Sequence, residues 1–184
     1  MKLMIASDIH GAAGYCSQML EAYRREEADK LVILGDILYH GPRNDLPKEY
    51  APKEVLQMLN EVKEELLCVR GNCDTEVDQM VLEFPMMADY AVFYLGGRMV
   101  YVTHGHHMNP QNPPMLKEGD ILINGHTHVP KFEKIDTFYY MNPGSVSIPK
   151  ENSVHGYMTY TEKDDLYQWK DLKGSVYMEA NISY

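Results

Sequence analysis

The chain has 184 residues, with 17 lysines and arginines against 27 aspartates and glutamates, so its formal net charge is −10. Domains usually hold about 100–200 residues, and we expect one domain that spans residues 1–184. Hydrophobic residues make up 45% and charged residues 24%, a balance that argues against a disordered chain. An acidic surface repels phosphate backbones, which argues against long nucleic acids as partners and, taken alone, against phosphate ligands.

The sequence also predicts the cellular location of the protein. Its apolar runs fall short of the ~20 residues needed to cross a bilayer, so we expect no membrane partner. The first residues, MKLMIASDIHG, lack the apolar core and cleavage site of a secretory signal. The three cysteines, Cys16, Cys68 and Cys73, are odd in number and lack the spacing of a disulfide framework. We therefore expect a reduced, cytoplasmic protein.

The N-terminal half alternates strand and helix signals. Short aliphatic runs bounded by glycine or polar residues predict buried strands at residues 3–6, 31–34 and 66–69. Between the first two runs, apolar residues at helical spacing predict a helix over residues 12–27. Pro52 is placed to open a second helix at its first turn. Strand–helix–strand alternation predicts a largely parallel sheet in this half.

The C-terminal half is richer in strand signals. Apolar runs at residues 99–102 and 121–123 continue the buried-strand pattern, and Gly96-Gly97 predicts a hairpin turn. Antiparallel strands separated by turn residues are predicted at residues 132–135, 138–141, 157–161, 166–169 and 176–180. We therefore expect an α/β fold in which two packed β-sheets have helices outside. The tyrosine-rich C-terminal strands leave a homo-oligomer as an open expectation.

Polar side chains follow five of the predicted strands, where each strand ends. In chain order these side chains belong to Asp8 and His10, Asp36, Asn72, His104 and His106, and His126 and His128. Ligands of open α/β sheets bind outside the carboxyl ends of the strands, so we expect these groups at one rim. Residues two apart in extended backbone point the same way, which would aim both members of Asp8-x-His10 and of His126-x-His128 at one site.

The donor types indicate a metal centre. Imidazole nitrogens, carboxylate oxygens and an amide oxygen, without thiolates, suit Mn²⁺, Fe or Zn²⁺ better than Ca²⁺. The candidate ligands are too many for one tetrahedral ion. Two ions about 3.5–4 Å apart that share a carboxylate are the simpler interpretation, and such sites hydrolyse phosphate esters.

The order of these motifs resembles a known signature. DIHG, GD with a downstream GPRN, GNCD, THGH and GHTH are similar to the signature of the calcineurin-like metallophosphoesterases. The pattern spans residues 8–128, and NPGS at residues 142–145 extends it. The short chain and the GNCD motif resemble the small bacterial and archaeal phosphodiesterases of the YfcE family. This resemblance implies a four-layer α-β-β-α sandwich of two packed mixed β-sheets flanked by helices, with a dinuclear metal centre.

The resemblance also implies which residues bind the two divalent ions, for which we expect Mn²⁺, with Zn²⁺, Fe and Ni²⁺ as alternatives. It assigns Asp8, His10 and His128 to the first ion, Asn72, His104 and His126 to the second, and Asp36 to both. A hydroxide held by the ions would attack phosphorus in line with the leaving oxygen.

Three further residues are candidates for the catalytic step. Cys73 stands where most of the superfamily has a histidine taken to help protonate the leaving group. We expect Cys73 to line the site and diesters with good leaving groups to be favoured. His106 is a candidate for contacting phosphate or assisting departure of the leaving group. Arg43 could bind phosphate oxygens with its guanidinium, or pair with Asp45 or Glu49 instead.

The leading hypothesis is a cytoplasmic, divalent-metal-dependent phosphodiesterase that acts on small phosphodiesters. One alternative is a phosphomonoesterase or protein phosphatase on the same site. Another is a non-catalytic scaffold similar to the retromer subunit built on this fold, although the full set of ligand residues favours catalysis. The positive charge of two divalent ions would offset the negative charge of the nearby carboxylates, so phosphate chemistry is not excluded. The acidic surface around the site would still repel a long polyanion, and we therefore expect the substrate to be a small anion.

Overall fold

Two β-sheets and three α-helices make up residues 1–182, the part of the chain that this computed structural model describes. The strands are β1 Lys2–Ala6, β2 Lys30–Ile33, β3 Leu66–Cys68, β4 Tyr90–Leu95, β5 Arg98–Thr103, β6 Ile121–Asn124, β7 Lys131–Ile135, β8 Phe138–Asn142, β9 Gly156–Thr161, β10 Leu166–Asp171 and β11 Val176–Asn181. The helices are α1 Ala13–Glu26, α2 Pro52–Glu61 and α3 Glu76–Gln79. Each strand and helix predicted from the sequence is present within a few residues of its predicted bounds.

The first sheet has the strand order β11-β10-β9-β1-β2-β3. Its N-terminal strands pair in parallel, with Met4 opposite Leu31 and Leu31 opposite Leu66, as the strand–helix–strand alternation predicts. Strand β9 then pairs antiparallel with β1, and β10 and β11 extend that edge. The sheet is therefore mixed, because C-terminal hairpin strands join a parallel N-terminal core.

The second sheet has the strand order β4-β5-β6-β8-β7. Strands β4 and β5 form an antiparallel hairpin whose turn residues, Gly96 and Gly97, have φ angles of 55° and 79°. These left-handed angles suit glycine and confirm the predicted turn. Strands β5, β6 and β8 pair in parallel, and β7 closes the far edge in the antiparallel sense. The carboxyl ends of β5 and β6 consequently lie side by side.

The core fills the space between the sheets and between the first sheet and its helices. Ile5 and Trp169 of the first sheet pack with Val100 and Ile123 of the second in one fully buried cluster. Residues on the opposite face of the first sheet form another cluster with the buried faces of α1 and α2. Helix α2 begins at Pro52, whose missing N–H costs nothing in a first turn.

The outer face of the second sheet carries a smaller cluster. Leu122, Phe138 and Tyr140 are buried there and pack with Leu116 from the segment between β5 and β6. The described residues of this segment, 104–120, contain no helix. Its three prolines, at positions 110, 113 and 114, disfavour one. The predicted pair of packed mixed sheets is confirmed, with helices α1 and α2 outside the first sheet, while this loop covers the outer face of the second sheet. No helix within residues 1–182 is long and apolar enough to cross a membrane.

Candidate metal centre

The strand ends bring together the carboxylates and imidazoles that the sequence singled out. Oδ1 of Asp8 lies 3.5 Å from Nε2 of His10 and 3.2 Å from Nε2 of His128. Oδ2 of Asp36 lies 3.6 Å from Nε2 of His10 and 3.4 Å from Nε2 of His104. The carboxylate of Asp36 is therefore close to both His10 and His104, which belong to the two halves of one site.

Asn72 and His126 complete the group on the His104 side. The side-chain oxygen of Asn72 is 3.0 Å from Nε2 of His104, and Nδ1 of His126 is 3.2 Å from the same nitrogen. The backbone N–H of His126 also donates to Oδ2 of Asp8 at 3.1 Å. All seven predicted ligand residues thus lie in one cluster with their donor atoms turned inward.

Backbone carbonyls set the orientation of three of these imidazoles. Nδ1 of His10, His104 and His128 lies 2.8, 2.7 and 2.8 Å from the carbonyl oxygens of Tyr39, Leu34 and Ile148, respectively. A carbonyl only accepts hydrogen bonds, so each Nδ1 carries the hydrogen. In the neutral ring, Nε2 then presents a lone pair to the site, which is the arrangement typical of histidine metal ligands.

The backbone at this site differs from the sequence-based expectation. The predicted extended geometry of the two pairs is wrong, because both members of each pair lie in the left-handed region. The φ angles are 60° at Asp8, 49° at His10, 66° at His126 and 63° at His128, and Asp36 has 55°. The side chains converge because the chain turns sharply after each strand. Left-handed non-glycine residues cost free energy and concentrate at functional sites.

The turn at residues 142–145, which carries the NPGS motif, supports the Asp8 loop. The hydroxyls of Ser145 and Ser147 donate to the carbonyl oxygen of Asp8 at 2.9 and 3.0 Å. The side-chain amide of Asn142 donates to the carbonyl of Gly125 at 2.7 Å. These bonds connect the loops after β1 and β6 and hold their strained residues in place.

Asp74, the last residue of the GNCD motif, has a role that the sequence did not predict. The buried carboxylate of Asp74 accepts hydrogen bonds from the backbone N–H groups of Asp36, Ile37 and Gly71 at 2.8, 2.9 and 2.7 Å. Burial raises the pKa of Asp74 to about 6. A Cβ at Gly71 would lie 2.1 Å from Oδ1 of Asp36, so only glycine fits there. Asp74 therefore positions the Asp36 loop against the loop after β3.

The electrostatics of the cluster fit cations. Oδ1 of Asp8 is buried and makes no hydrogen bond within the described structure. Burial raises the pKa of Asp8, but contacts with His10 and His128 outweigh it and hold this pKa well below 3.8. Burial lowers the pKa of His104, but the carboxylates of Asp36 and Asp8 outweigh it and raise this pKa to about 9. Asp8 therefore stays ionised, and the negative charge of the two carboxylates favours a cation beside them. That charge suits a divalent ion, and the nitrogen and oxygen donors match such an ion.

The donor cluster opens into a cavity of about 280 Å³. Arg43 lines this cavity with an exposed side chain, and within residues 1–182 it forms no ion pair. The alternative pairing of Arg43 with Asp45 or Glu49 is therefore not observed. Lys150 lines the same cavity and was missed, because no motif surrounds it in the sequence.

Cys73 and His106 flank the donor cluster in uncharged forms. The backbone N–H of Cys73 donates to Oδ1 of Asp36 at 2.8 Å, and burial together with Asp36 raises the pKa of the thiol above its usual range. Burial and the neighbouring imidazole of His104 lower the pKa of His106 to about 4. The ring centroids of His106 and His104 are 5.4 Å apart. At neutral pH, neither Cys73 nor His106 carries a charge.

Comparisons with known proteins agree with this architecture. Residues 1–165 match the calcineurin-like phosphoesterase superfamily domain. The chain is 49% identical to phosphodiesterase YfcE of Escherichia coli strain K12 over 157 residues, which are 85% of each chain. The solved structure of the E. coli phosphoesterase Yfce superposes with a TM-score of 0.95 at 44% identity over 100% of both chains.

A more distant structure shows the fold alone. The crystal structure of Vps29 complexed with Zn²⁺ from Entamoeba histolytica matches with a TM-score of 0.63 at 20% identity over 100% of both chains. The domain match covers most of the sequence, and the relative from E. coli shares nearly half of its aligned residues. By both measures, the chain belongs to the calcineurin-like phosphoesterase superfamily.

Proposed function

We propose that this protein is a divalent-metal-dependent phosphodiesterase with a two-ion centre that hydrolyses small phosphodiesters. The observation that carries the proposal is the position of Asp36, whose Oδ2 is 3.6 Å from His10 Nε2 and 3.4 Å from His104 Nε2. A carboxylate between two sets of donors suits a bridge between two ions. The similarity to a phosphodiesterase from E. coli supports diesters as the substrate class.

The donor set divides into two groups around Asp36. Asp8, His10 and His128 would hold one ion, and Asn72, His104 and His126 would hold the other. We propose Mn²⁺, because the donors are nitrogen and oxygen without a thiolate, while Zn²⁺, Fe and Ni²⁺ fit the same set. When bound, such ions lower the pKa of water towards ~7 and neutralise negative charge on phosphate oxygens.

The chain's own residues would bind and orient the phosphate. The guanidinium of Arg43 at the cavity rim would donate to non-bridging oxygens, and Lys150 would add positive charge beside it. The neutral imidazole of His106, whose ring lies beside that of His104, would serve as a hydrogen-bond partner, since its lowered pKa leaves no proton to transfer as an imidazolium at neutral pH.

The site would favour substrates with good leaving groups. The thiol of Cys73 has a raised pKa and is therefore a weak acid that would do little to protonate a departing alkoxide. Alcohols of low pKa depart without that assistance. The small cavity of about 280 Å³ and the net charge of −10 both favour a small diester over a long polyanion. The three cysteines are unpaired, and we propose a reducing, cytoplasmic location.

Metal analysis and a substrate pair test the proposal. The purified protein, loaded in turn with Mn²⁺, Zn²⁺, Fe²⁺ and Ni²⁺, is assayed with bis(p-nitrophenyl) phosphate and with p-nitrophenyl phosphate. We expect about two ions per chain and a kcat/KM at least tenfold higher for the diester. Faster hydrolysis of the monoester would support a phosphomonoesterase. The absence of both bound metal and turnover would support the scaffold alternative.

A further inference from the structure

A second cavity, of about 560 Å³, adjoins the metal centre. We call it the apolar cavity, and its carbon-rich walls come from Leu38, Tyr39, Tyr50, Leu56, Val77 and Val81. Three of these side chains expose much of their surface, with 68% of Val77, 45% of Val81 and 42% of Tyr39 accessible. Apolar side chains grouped around a concave surface are typical of ligand pockets.

Cys73 connects the apolar cavity to the metal centre. It lines both cavities, and it is only 8% exposed. One donor atom each from Cys73, His10 and Asp36 lie within 4.8 Å of one another. Tyr39 lines the apolar cavity with its side chain while its carbonyl oxygen accepts the Nδ1 hydrogen of His10 at 2.8 Å. An ester group on a phosphorus atom at the metal centre would therefore reach the apolar cavity by passing Cys73.

The aromatic wall of the apolar cavity is held in place by packing. The ring of His40 lies edge-on to Tyr39 and to Tyr50, at centroid distances of 4.7 and 5.3 Å. The backbone N–H of Ala51 donates to the carbonyl of Gly11 at 2.8 Å. A Cβ at Gly11 would lie 2.5 Å from the ring of Tyr50, so this ring packs directly on the loop that carries His10. The aromatic wall is thus in direct contact with the loop that carries His10 of the metal centre.

The charges around the apolar cavity favour an uncharged occupant. Lys53 and Asp78 are the charged residues among those that line it, and their formal charges cancel. The metal-centre cavity, by contrast, contains Arg43 and Lys150. The two cavities together suit a molecule with an anionic phosphate at one end and an apolar group at the other.

We propose that the apolar cavity binds an apolar alcohol group of the phosphodiester, so that the preferred substrates are diesters of aromatic or other apolar alcohols. This inference rests on the proposed phosphodiesterase activity and assigns the substrate class of the same site. It makes Val77 and Val81 specificity-determining residues that contact the substrate away from the reacting atoms.

Inhibition by alkyl methylphosphonates tests this inference. The methyl, butyl and benzyl methylphosphonate monoanions carry the charge of a diester but have poor leaving groups. Their inhibition constants are measured against bis(p-nitrophenyl) phosphate, and their dissociation constants are measured by calorimetry with the Mn²⁺-loaded protein. We expect the benzyl compound to bind about tenfold or more tightly than the methyl compound, because its ring is removed from water.

Matched variants locate the effect. The double variant Val77→Ser/Val81→Ser should lose most of the benzyl preference and keep the affinity for the methyl compound. Val154→Ser, which changes a valine with 43% of its surface exposed elsewhere in the chain, should keep both. Both variants should retain the wild-type Tm within about 2 °C, because substitutions of exposed residues usually change stability little.

The outcomes separate the inference from the proposed function. Equal affinities for methyl and benzyl compounds, with diester hydrolysis intact, would overturn the inference and leave the function standing. A benzyl preference without turnover of any diester would support the cavity and contradict the function. Sedimentation tests the competing occupant, a second copy of this chain. If Val77→Ser/Val81→Ser dissociates a dimer and leaves the benzyl preference unchanged, the inference is overturned.

Discussion

The Nε2 atoms of His10 and His128 lie 3.4 Å apart, although each ring already donates its Nδ1 hydrogen to a backbone carbonyl. In the neutral rings these two nitrogens direct lone pairs at each other, and lone pairs repel. A positive charge beside both nitrogens, either a proton or a metal ion, removes this repulsion. A bound divalent cation would supply that charge, and metal binding should therefore stabilise the fold.

Metal binding should raise the Tm of the wild-type protein. At a Mn²⁺ concentration 100-fold above Kd, linkage predicts about 2.7 kcal/mol of stabilisation, or roughly 5–10 °C for a chain of this size. His128→Gln should lose much of this shift. His155→Gln is the matched control, because His155 also hydrogen-bonds a carbonyl through Nδ1, that of Val146 at 2.9 Å. Equal shifts in the two variants, measured by calorimetry, would refute the role of His128.

Asp74→Asn should weaken metal binding although Asp74 is not a predicted ligand. Asparagine has one oxygen in place of two, and its amide group would oppose a backbone N–H of the Asp36 loop. We expect Mn²⁺ affinity to fall about 10–100-fold, as for other groups that orient metal ligands. Asp171→Asn is the control, since Asp171 accepts hydrogen bonds from Lys173 and Ser175 in a distant turn. Unchanged affinity in a folded Asp74→Asn variant would contradict the positioning role.

The position of Cys73 predicts the dependence of rate on the leaving group. For a series of aryl phosphodiesters, kcat/KM of the wild type should fall steeply as the pKa of the departing phenol rises. Cys73→His should make this dependence shallower, because an imidazole that titrates near neutral pH can protonate the phenolate. Cys73→Ser supplies no comparable acid and should keep the steep slope. A flat dependence in the wild type would remove the argument.

Arg43→Ala should raise KM for a diester more than it lowers kcat. Loss of a charge-assisted hydrogen bond of about 1.5–3 kcal/mol corresponds to roughly a 10–100-fold rise in KM. Lys48→Ala is the control, because it removes a nearby cation whose side chain is 78% exposed and pairs with Glu49 at 4.0 Å. If both variants raise KM equally, the effect comes from net charge and not from contact with phosphate.

Glu26 should make stability depend on acid pH. Its side chain, 7% exposed, accepts hydrogen bonds from Lys170 at 2.8 Å, Lys2 at 2.7 Å and Tyr157 at 2.7 Å. Burial raises the pKa of Glu26, but these three partners outweigh it and lower the pKa from 4.5 to about 2. The stabilisation, about 3 kcal/mol by linkage, is complete above the unfolded pKa and lost as pH falls through the folded pKa.

Urea denaturation at pH 7, 4.5, 3 and 2 measures this contribution. Glu26→Gln should be less stable than wild type at pH 7, and its stability should change less between pH 4.5 and pH 2. Glu179→Gln, at an exposed position on β11, should keep the wild-type profile. A parallel profile for Glu26→Gln would show that other carboxylates control the acid transition.

The residues of the sequence determined the elements and the chemistry of the site. Short aliphatic runs must be buried, so the strands β1, β2, β3, β5 and β6 follow from pattern alone. The polar residues that follow these runs were predictable as one cluster, because parallel strands present their carboxyl ends at the same rim. The types of donor atom then indicated a metal centre. All of this information is local or follows from the alternation of strands and helices.

Only the tertiary structure decided how those residues meet. The left-handed backbone at Asp8 is held by hydrogen bonds from Ser145 and Ser147, more than 130 residues away. Asp74 acts through backbone groups of another loop, which leave no pattern in the sequence. The apolar cavity likewise assembles from separate segments between residues 38 and 81. Such features result from long-range packing, and their energies depend on neighbours that no local window contains.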